Sequence, residues 1–361
     1  MGGSRLPGGP NWEWVFWGRP LSFRGTIRPS DKHGSAYAFS YRPILGTRGI
    51  KPILATGALD SGAGGQRPRY RYRDAGRGQL NYLNYHRHLT HSLAAWPLMA
   101  LLPVLAVRLF TRKPFQWLGA YAISLAAVAS HLLLDYTNVY GIRLLLPFSG
   151  RWFHLDFTSV VDLWIWAVLL AGLAGPAMAR LVNAEIGART GSAGRGFAIF
   201  ALLFLGLYNI GRGALHARAA ATLDSRIYAG EQPLRVAALP GPVNPLAWRG
   251  LVETREFYSV INFSLLEEFD PSRGAIFYKA EPGAAIQAAN NSPDFRDFFK
   301  FSQFPLERTM PLADPEGATR VEAMDMRFGT PAQPGFVATA EVDNRQRVIR
   351  SWFTFGAARP R

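Results

Sequence analysis

The sequence predicts an α-helical polytopic membrane bundle of about four transmembrane helices, followed by a small β-rich extramembrane domain. Two observations carry this: four long apolar runs lie between residues 92 and 210, and alternating apolar and polar residues recur after residue 220. Tryptophan placement is a third, because Trp96, Trp117, Trp152, Trp164 and Trp166 flank the runs, where amphipathic rings favour the membrane–water interface. The 361 residues carry a net charge of +15 and include no cysteine. That excludes disulfides, thiolate metal sites and cysteine nucleophiles, so any metal must be held by nitrogen and oxygen.

The leader, residues 1–77, is basic and rich in Gly, Pro and Arg, without sustained apolar periodicity or a signal-peptide layout. Its "RPRYRYRDAGR" stretch has the composition of a nucleic-acid or anionic-lipid arm. The same composition is commoner in chain that cannot pay its folding entropy, so a disordered leader is expected and a nucleic-acid partner is not. Residues 1–91 hold 14 Lys and Arg against 4 Asp and Glu, which is most of the chain's surplus charge.

Membrane helices are expected over Ser92–Phe110, Phe115–Leu134 and Ser159–Met178, which approach the ~20 residues needed to cross ~30 Å of hydrocarbon. The fourth run, Gly196–Ile210, falls short of that length. A buried soluble helix is the alternative, but "LWIWAVLLAGLAGPAMA" lacks the polar face of a surface helix. Arg108, Arg112 and Lys113 in one loop, and Arg180, Arg189 and Arg195 in another, place both loops in the cytoplasm by the positive-inside rule. The histidine stretch "HRHLTHS", the loop from Asp135 to Phe157 and the C-terminal part then fall outside.

Residues 78–215 are accordingly taken as the membrane-embedded domain and 216–361 as the β-rich one. Within the latter, "REFYSVINFSLL", "GAIFYKAE" and "RVEAMDMRF" read as strands, and "GFVATAEVDNRQRVIRSWFTFG" as a closing hairpin with Asp343-Asn344 at its turn.

Four of the seven histidines, His86, His88, His91 and His131, lie within 46 residues. His131 and Asp135, at i and i+4, share a helix face, and imidazole with carboxylate is a ligand set for zinc or another divalent ion. Alone, such a pair reads rather as a hydrogen-bonded pair at a helix end. Because the first run leaves one membrane face and the second returns to it, His91 and His131 can meet there, as a bundle-built metal site requires. His86 is expected on the incoming loop and His91 in the first helical turn, with Ser92 or Thr90 capping it.

His86-Arg87, Thr90-His91-Ser92, His131-x-x-x-Asp135 and "YGIRLLLPFSGRWFHLDFTSVVDLWIW", with Tyr140-Gly141, Pro147 and Asp162, together resemble the YdjM-type membrane-bound metal-dependent hydrolases over roughly residues 78–215. The resemblance implies a divalent ion, zinc in the first instance, on His86, His91, His131 and Asp135. Arg87, Thr90 and Asp162 match the family pattern, and with Arg143 they are the candidate catalytic residues. His88 stands where the family has a small residue, and it either supports a ligand from behind or is incidental. The implied protein is a multi-pass bacterial inner-membrane hydrolase, its partners the lipid bilayer and a small-molecule or lipid-linked substrate.

Its chemistry would be attack by metal-activated water, with Arg87 or Arg143 neutralising an anionic group such as a phosphoester. The alternative is a non-catalytic scaffold or metal-binding sensor that displays the C-terminal domain. A transporter is disfavoured, since the runs show no internal repeat. The family's first helix, with a Thr-His pair, and its Pro-Asp-x-Asp motif are absent from residues 1–85. The expectation is therefore that the leader reflects a wrong start or a shifted reading frame.

Overall fold

The computed structural model describes residues 79–111, 116–187 and 193–356, so the expectations for the leader lie outside the described residues. Four helices form the membrane part: α1 (Trp96–Phe110), α2 (Trp117–Thr137), α3 (Leu163–Glu185) and α4 (Ala193–Asp224). Among the described residues, α2, α3 and α4 are long and apolar enough to cross a membrane. A fourth crossing is made only if Gln79–His91 and α1, which meet at 83°, count as one bent span.

The first run thus yields less helix than its length predicts, since 15 residues measure ~22 Å against ~30 Å of hydrocarbon. Ser92 accounts for the late start. Its Oγ donates to the Leu89 carbonyl at 2.8 Å and accepts from the Ala95 N–H at 3.2 Å, closing one turn before α1 begins. The expected capping role therefore falls to Ser92, ahead of the helix proper. α1 and α2 are tied by Ser124 Oγ to the Ala100 carbonyl at 2.6 Å and by Trp96 Nε1 to the Leu125 carbonyl at 2.9 Å.

The fourth run departs in the other direction, extending 32 residues to Asp224. Beyond Ile210 its apolar face is no longer met by lipid: Leu215, Ala219 and Leu223 pack on Trp248, Val252 and Ile261. The expected boundary between residues 215 and 216 falls inside this continuous helix.

Two antiparallel four-stranded meanders follow. Sheet 1 comprises β1 (Arg235–Pro240), β2 (Ala247–Glu253), β3 (Phe257–Ser264) and β4 (Ala275–Tyr278). Sheet 2 comprises β5 (Pro305–Pro311), β6 (Thr319–Asp325), β7 (Phe336–Val342) and β8 (Val348–Phe355). The expected hairpin is β7–β8, with the Asp343 carboxylate accepting the Arg345 and Arg347 N–H groups at its turn. Two helices unforeseen in the sequence, α5 (Ala284–Asn290) and α6 (Pro293–Phe301), lie between the sheets in chain order.

The alternation of side chains builds layers. Ala237, Leu251 and Tyr258 of sheet 1 meet Leu306, Met324 and Val337 of sheet 2. The far face of sheet 2 packs on α5 and α6, joined by Leu80, Leu83, Tyr140 and Trp152 from the membrane part. The sheets therefore rest directly on the segments that flank the histidines.

Candidate metal centre

The 3₁₀ turn Leu89–His91, closed by the His91 N–H on the His88 carbonyl at 2.9 Å, aims His91 toward α2. From α2, His131 and Asp135 project on one face as their spacing predicts. Nε2 of His91 and Nε2 of His131 are 3.3 Å apart, and they lie 3.8 and 3.7 Å from Asp135 Oδ2. These three atoms form a group that could hold a metal ion.

The neighbourhood of Asp135 tests the fit. Its Oδ1 is held by Arg87 Nη2 at 2.9 Å, whereas Oδ2 is buried without a hydrogen-bond partner among the described residues. An orphaned carboxylate oxygen facing two imidazole nitrogens is costly unless a cation or shared proton lies between them. Ligand atoms around a tetrahedral ion with ~2.0–2.1 Å bonds stand ~3.3–3.4 Å apart, close to the spacings observed. His131, with 61% of its side chain exposed, leaves the group open on one side.

Arg87 is the brace of this arrangement. It sits at φ 56°, in the left-handed region that non-glycine residues seldom adopt, and its side chain is buried. Besides Asp135, its Nη1 donates to Asn138 Oδ1 at 3.1 Å and to the Gly141 carbonyl at 2.8 Å, with the guanidinium over the Tyr140 ring. Asn138 Oδ1 also accepts the Tyr140 and Gly141 N–H groups, an Asx turn that fixes the chain leaving α2. Gly141, at φ +81°, is required there because a Cβ would lie 2.7 Å from the Phe153 carbonyl. Thr90 Oγ1 lies 2.9 Å from His91 Nδ1, the nitrogen turned away from the group.

Other expected residues stand apart. The His86 ring is 6.4 Å from that of His91 and stacks on Tyr82 at 4.6 Å, beside the three-residue group rather than in it. Arg143 donates to the Asn84 carbonyl and lies over the Trp152 ring, so it braces the approach. Asp162 is the N-cap of α3: it accepts from the N–H groups of Trp164 and Ile165 and from the Tyr208 hydroxyl at 3.0 Å. Those partners hold it at the α3–α4 junction, where a buried carboxylate is satisfied. His88 contributes its carbonyl to the 3₁₀ turn, its N–H to the Tyr85 carbonyl and its ring to a contact with Tyr85.

Sequence reasoning missed Asn138, though the Asn-x-Tyr-Gly stretch after Asp135 carries a turn signal. It also missed Arg327, which reaches the loop after α2 from the C-terminal part. Arg327 pairs with Asp325 at 2.8 Å, both side chains fully buried, and donates to the Val139 carbonyl at 3.3 Å. Nearby, His154 Nδ1 lies 2.8 Å from Asp156 Oδ1 and Nε2 lies 2.6 Å from Gln303 Oε1. Burial works against a charge on His154, but the Asp156 carboxylate outweighs it and raises the pKa above the ordinary imidazole value.

The comparisons with known proteins cover the same region. The model of the YdjM inner membrane protein family matches residues 76–219. The chain is also similar to the uncharacterized protein YfhP of Bacillus subtilis (strain 168), at 30% identity over 96 residues, 26% of this chain and 28% of the relative. The match thus spans little more than a quarter of that protein's length. No solved structure matches. The His91–His131–Asp135 group and most of the apolar helical length lie within residues 76–219, the segment that matches the model of the YdjM inner membrane protein family.

Proposed function

We propose that the chain is a metal-dependent hydrolase of the bacterial inner membrane, acting on an anionic, lipid-linked or phosphoester substrate. The observation that carries this is the buried, unpartnered Asp135 Oδ2 facing the Nε2 atoms of His91 and His131. These three residues would hold a divalent ion, with zinc suited to the nitrogen and oxygen donors. Such an ion would supply Lewis acidity for hydrolysis near neutral pH.

The chain's own groups prepare the site. Arg87 pins one Asp135 oxygen and leaves the other aimed at the imidazoles. Thr90 Oγ1, 2.9 Å from His91 Nδ1, can accept from Nδ1–H in the tautomer whose Nε2 lone pair faces inward. With three protein ligands and an open side, the arrangement leaves room for water and substrate. Arg87 is engaged by Asp135, Asn138 and Gly141, so we assign it to positioning rather than to substrate charge. The basic loops support a reading in which the site and the C-terminal sheets are extracytoplasmic.

Metal analysis of the detergent-purified protein tests the reading, together with its His131→Ala and Asp135→Asn variants and a panel of phosphoesters and esters. Bound divalent metal in the wild type, lost in both variants together with hydrolysis, is expected. Equal metal content in all three would reject the site. Metal bound without hydrolysis above background would favour the scaffold reading.

A further inference from the structure

Beside the centre, the chain between α2 and α3 makes a tight turn whose apolar tip is left uncovered among the described residues. Phe148 is 90% exposed, and Leu145, Leu89 and Leu93 are each about half exposed. The turn is not detached from the bundle. The Leu93 N–H donates to the Leu144 carbonyl at 3.0 Å, which places the turn against the entry to α1. From Leu93 the exposed apolar surface continues along α1 through Leu98, Leu102 and Leu105.

The geometry points to a membrane-contacting lip: Leu145 and Phe148 enter the interfacial zone of the bilayer, with Leu89 and Leu93, at the rim of the His91–His131–Asp135 group. Three features support this occupant. Part of the turn's backbone is paired internally, because the Phe148 and Ser149 N–H groups both bond the Leu145 carbonyl, at 2.9 and 3.0 Å. Unpaired backbone groups are what bars most loops from apolar surroundings. The lip is continuous with the exposed apolar surface of α1. Exposed Arg151 follows the tip by three residues, within reach of anionic headgroups.

The lip has a consequence for ligands that rests on the function proposed above. A site opening beside inserted side chains receives molecules from the bilayer plane, so its substrates would be amphiphiles already lodged in the leaflet.

The lip itself is tested without reference to metal or activity. The chain contains no cysteine, so Phe148→Cys, Leu145→Cys and, as a control on the exposed β7–β8 turn, Arg345→Cys each accept one nitroxide label. In proteoliposomes of phosphatidylethanolamine and phosphatidylglycerol, collisions with oxygen should exceed those with a water-soluble nickel chelate at 145 and 148. The order should reverse at 345. Predominant nickel collisions at 145 and 148 would mean a water-facing loop and overturn the inference. Shielding from both reagents would mean a protein partner or a second copy, and would overturn it equally. Loss of metal or hydrolysis would leave these collision rates unchanged, so the two proposals fail separately.

Discussion

Arg87 Nη2 stands 2.9 Å from Asp135 Oδ1, and the same carboxylate's Oδ2 has no partner among the described residues. One oxygen is anchored so that the other is presented. Arg87 also bonds Asn138 and Gly141, so the start of the 3₁₀ turn and the end of α2 are held by one side chain.

Replacing Arg87 by Met should therefore cost about 3–5 kcal/mol, the usual penalty for leaving half of a buried pair. Arg87→Lys should recover little, because one ammonium cannot reproduce a planar fork that spans three acceptors. Thermal unfolding in detergent checks this, and a Lys variant as stable as the wild type would contradict the positioning role.

Thr90→Val keeps shape and removes the hydroxyl facing His91 Nδ1. Metal affinity should fall roughly 10–100-fold, as for other groups that orient a ligating imidazole. Thr90→Ser should retain most of it. Competition with a chromophoric chelator reads the difference, and equal affinities for Val and Thr would remove Thr90 from the site.

A Cβ at Gly250 would lie 2.5 Å from the Leu223 side chain, where α4 packs on β2. Gly250→Ala is expected to destabilise by about 1–3 kcal/mol through overpacking. In the double variant with Leu223→Ala the two effects should be less than additive. Strict additivity in unfolding experiments would show that this contact does not seat the helix on the sheet.

His154 provides a pH dependence. Its folded pKa is raised, so the His154–Asp156 interaction contributes stability in full below the ordinary imidazole value of about 6.5 and loses it as pH rises through the folded value. The melting temperature should fall across that window in the wild type and less so in His154→Gln. Identical profiles for the two proteins would argue against it.

If the basic loops lie in the cytoplasm, a tag placed after Arg361 should be open to protease added to intact spheroplasts. Cleavage seen only after lysis would reverse the orientation and put the histidine group inside.

His91, His131 and Asp135 were legible because an i, i+4 spacing and two antiparallel apolar runs suffice to bring them together. The place of His86 was not, since its stacking on Tyr82 depends on the helical stretch at 79–85, which has no apolar periodicity of its own length to announce it. Asp162 matched a family pattern, yet only the fold shows that Tyr208, 46 residues away, occupies its oxygens. In the C-terminal part, β2 escaped notice because a central strand buried on both faces, as Gly250 to Val252 are, does not alternate. The helix α6 escaped because its aromatic residues, Phe295, Phe298 and Phe301, also suit a strand until their spacing is read as 3.

The 32-residue α4 is a rod of ~48 Å, well beyond the ~30 Å of hydrocarbon it can occupy. Its last turns pack on sheet 1, and Arg327, just after β6, bonds the Val139 carbonyl. A rod matches a thinner or thicker bilayer by tilting. Tilt of α4 would swing the sheets like a boom on a mast, and the swing would pull on the chain that leaves Asp135, making leaflet thickness a mechanical variable of the centre.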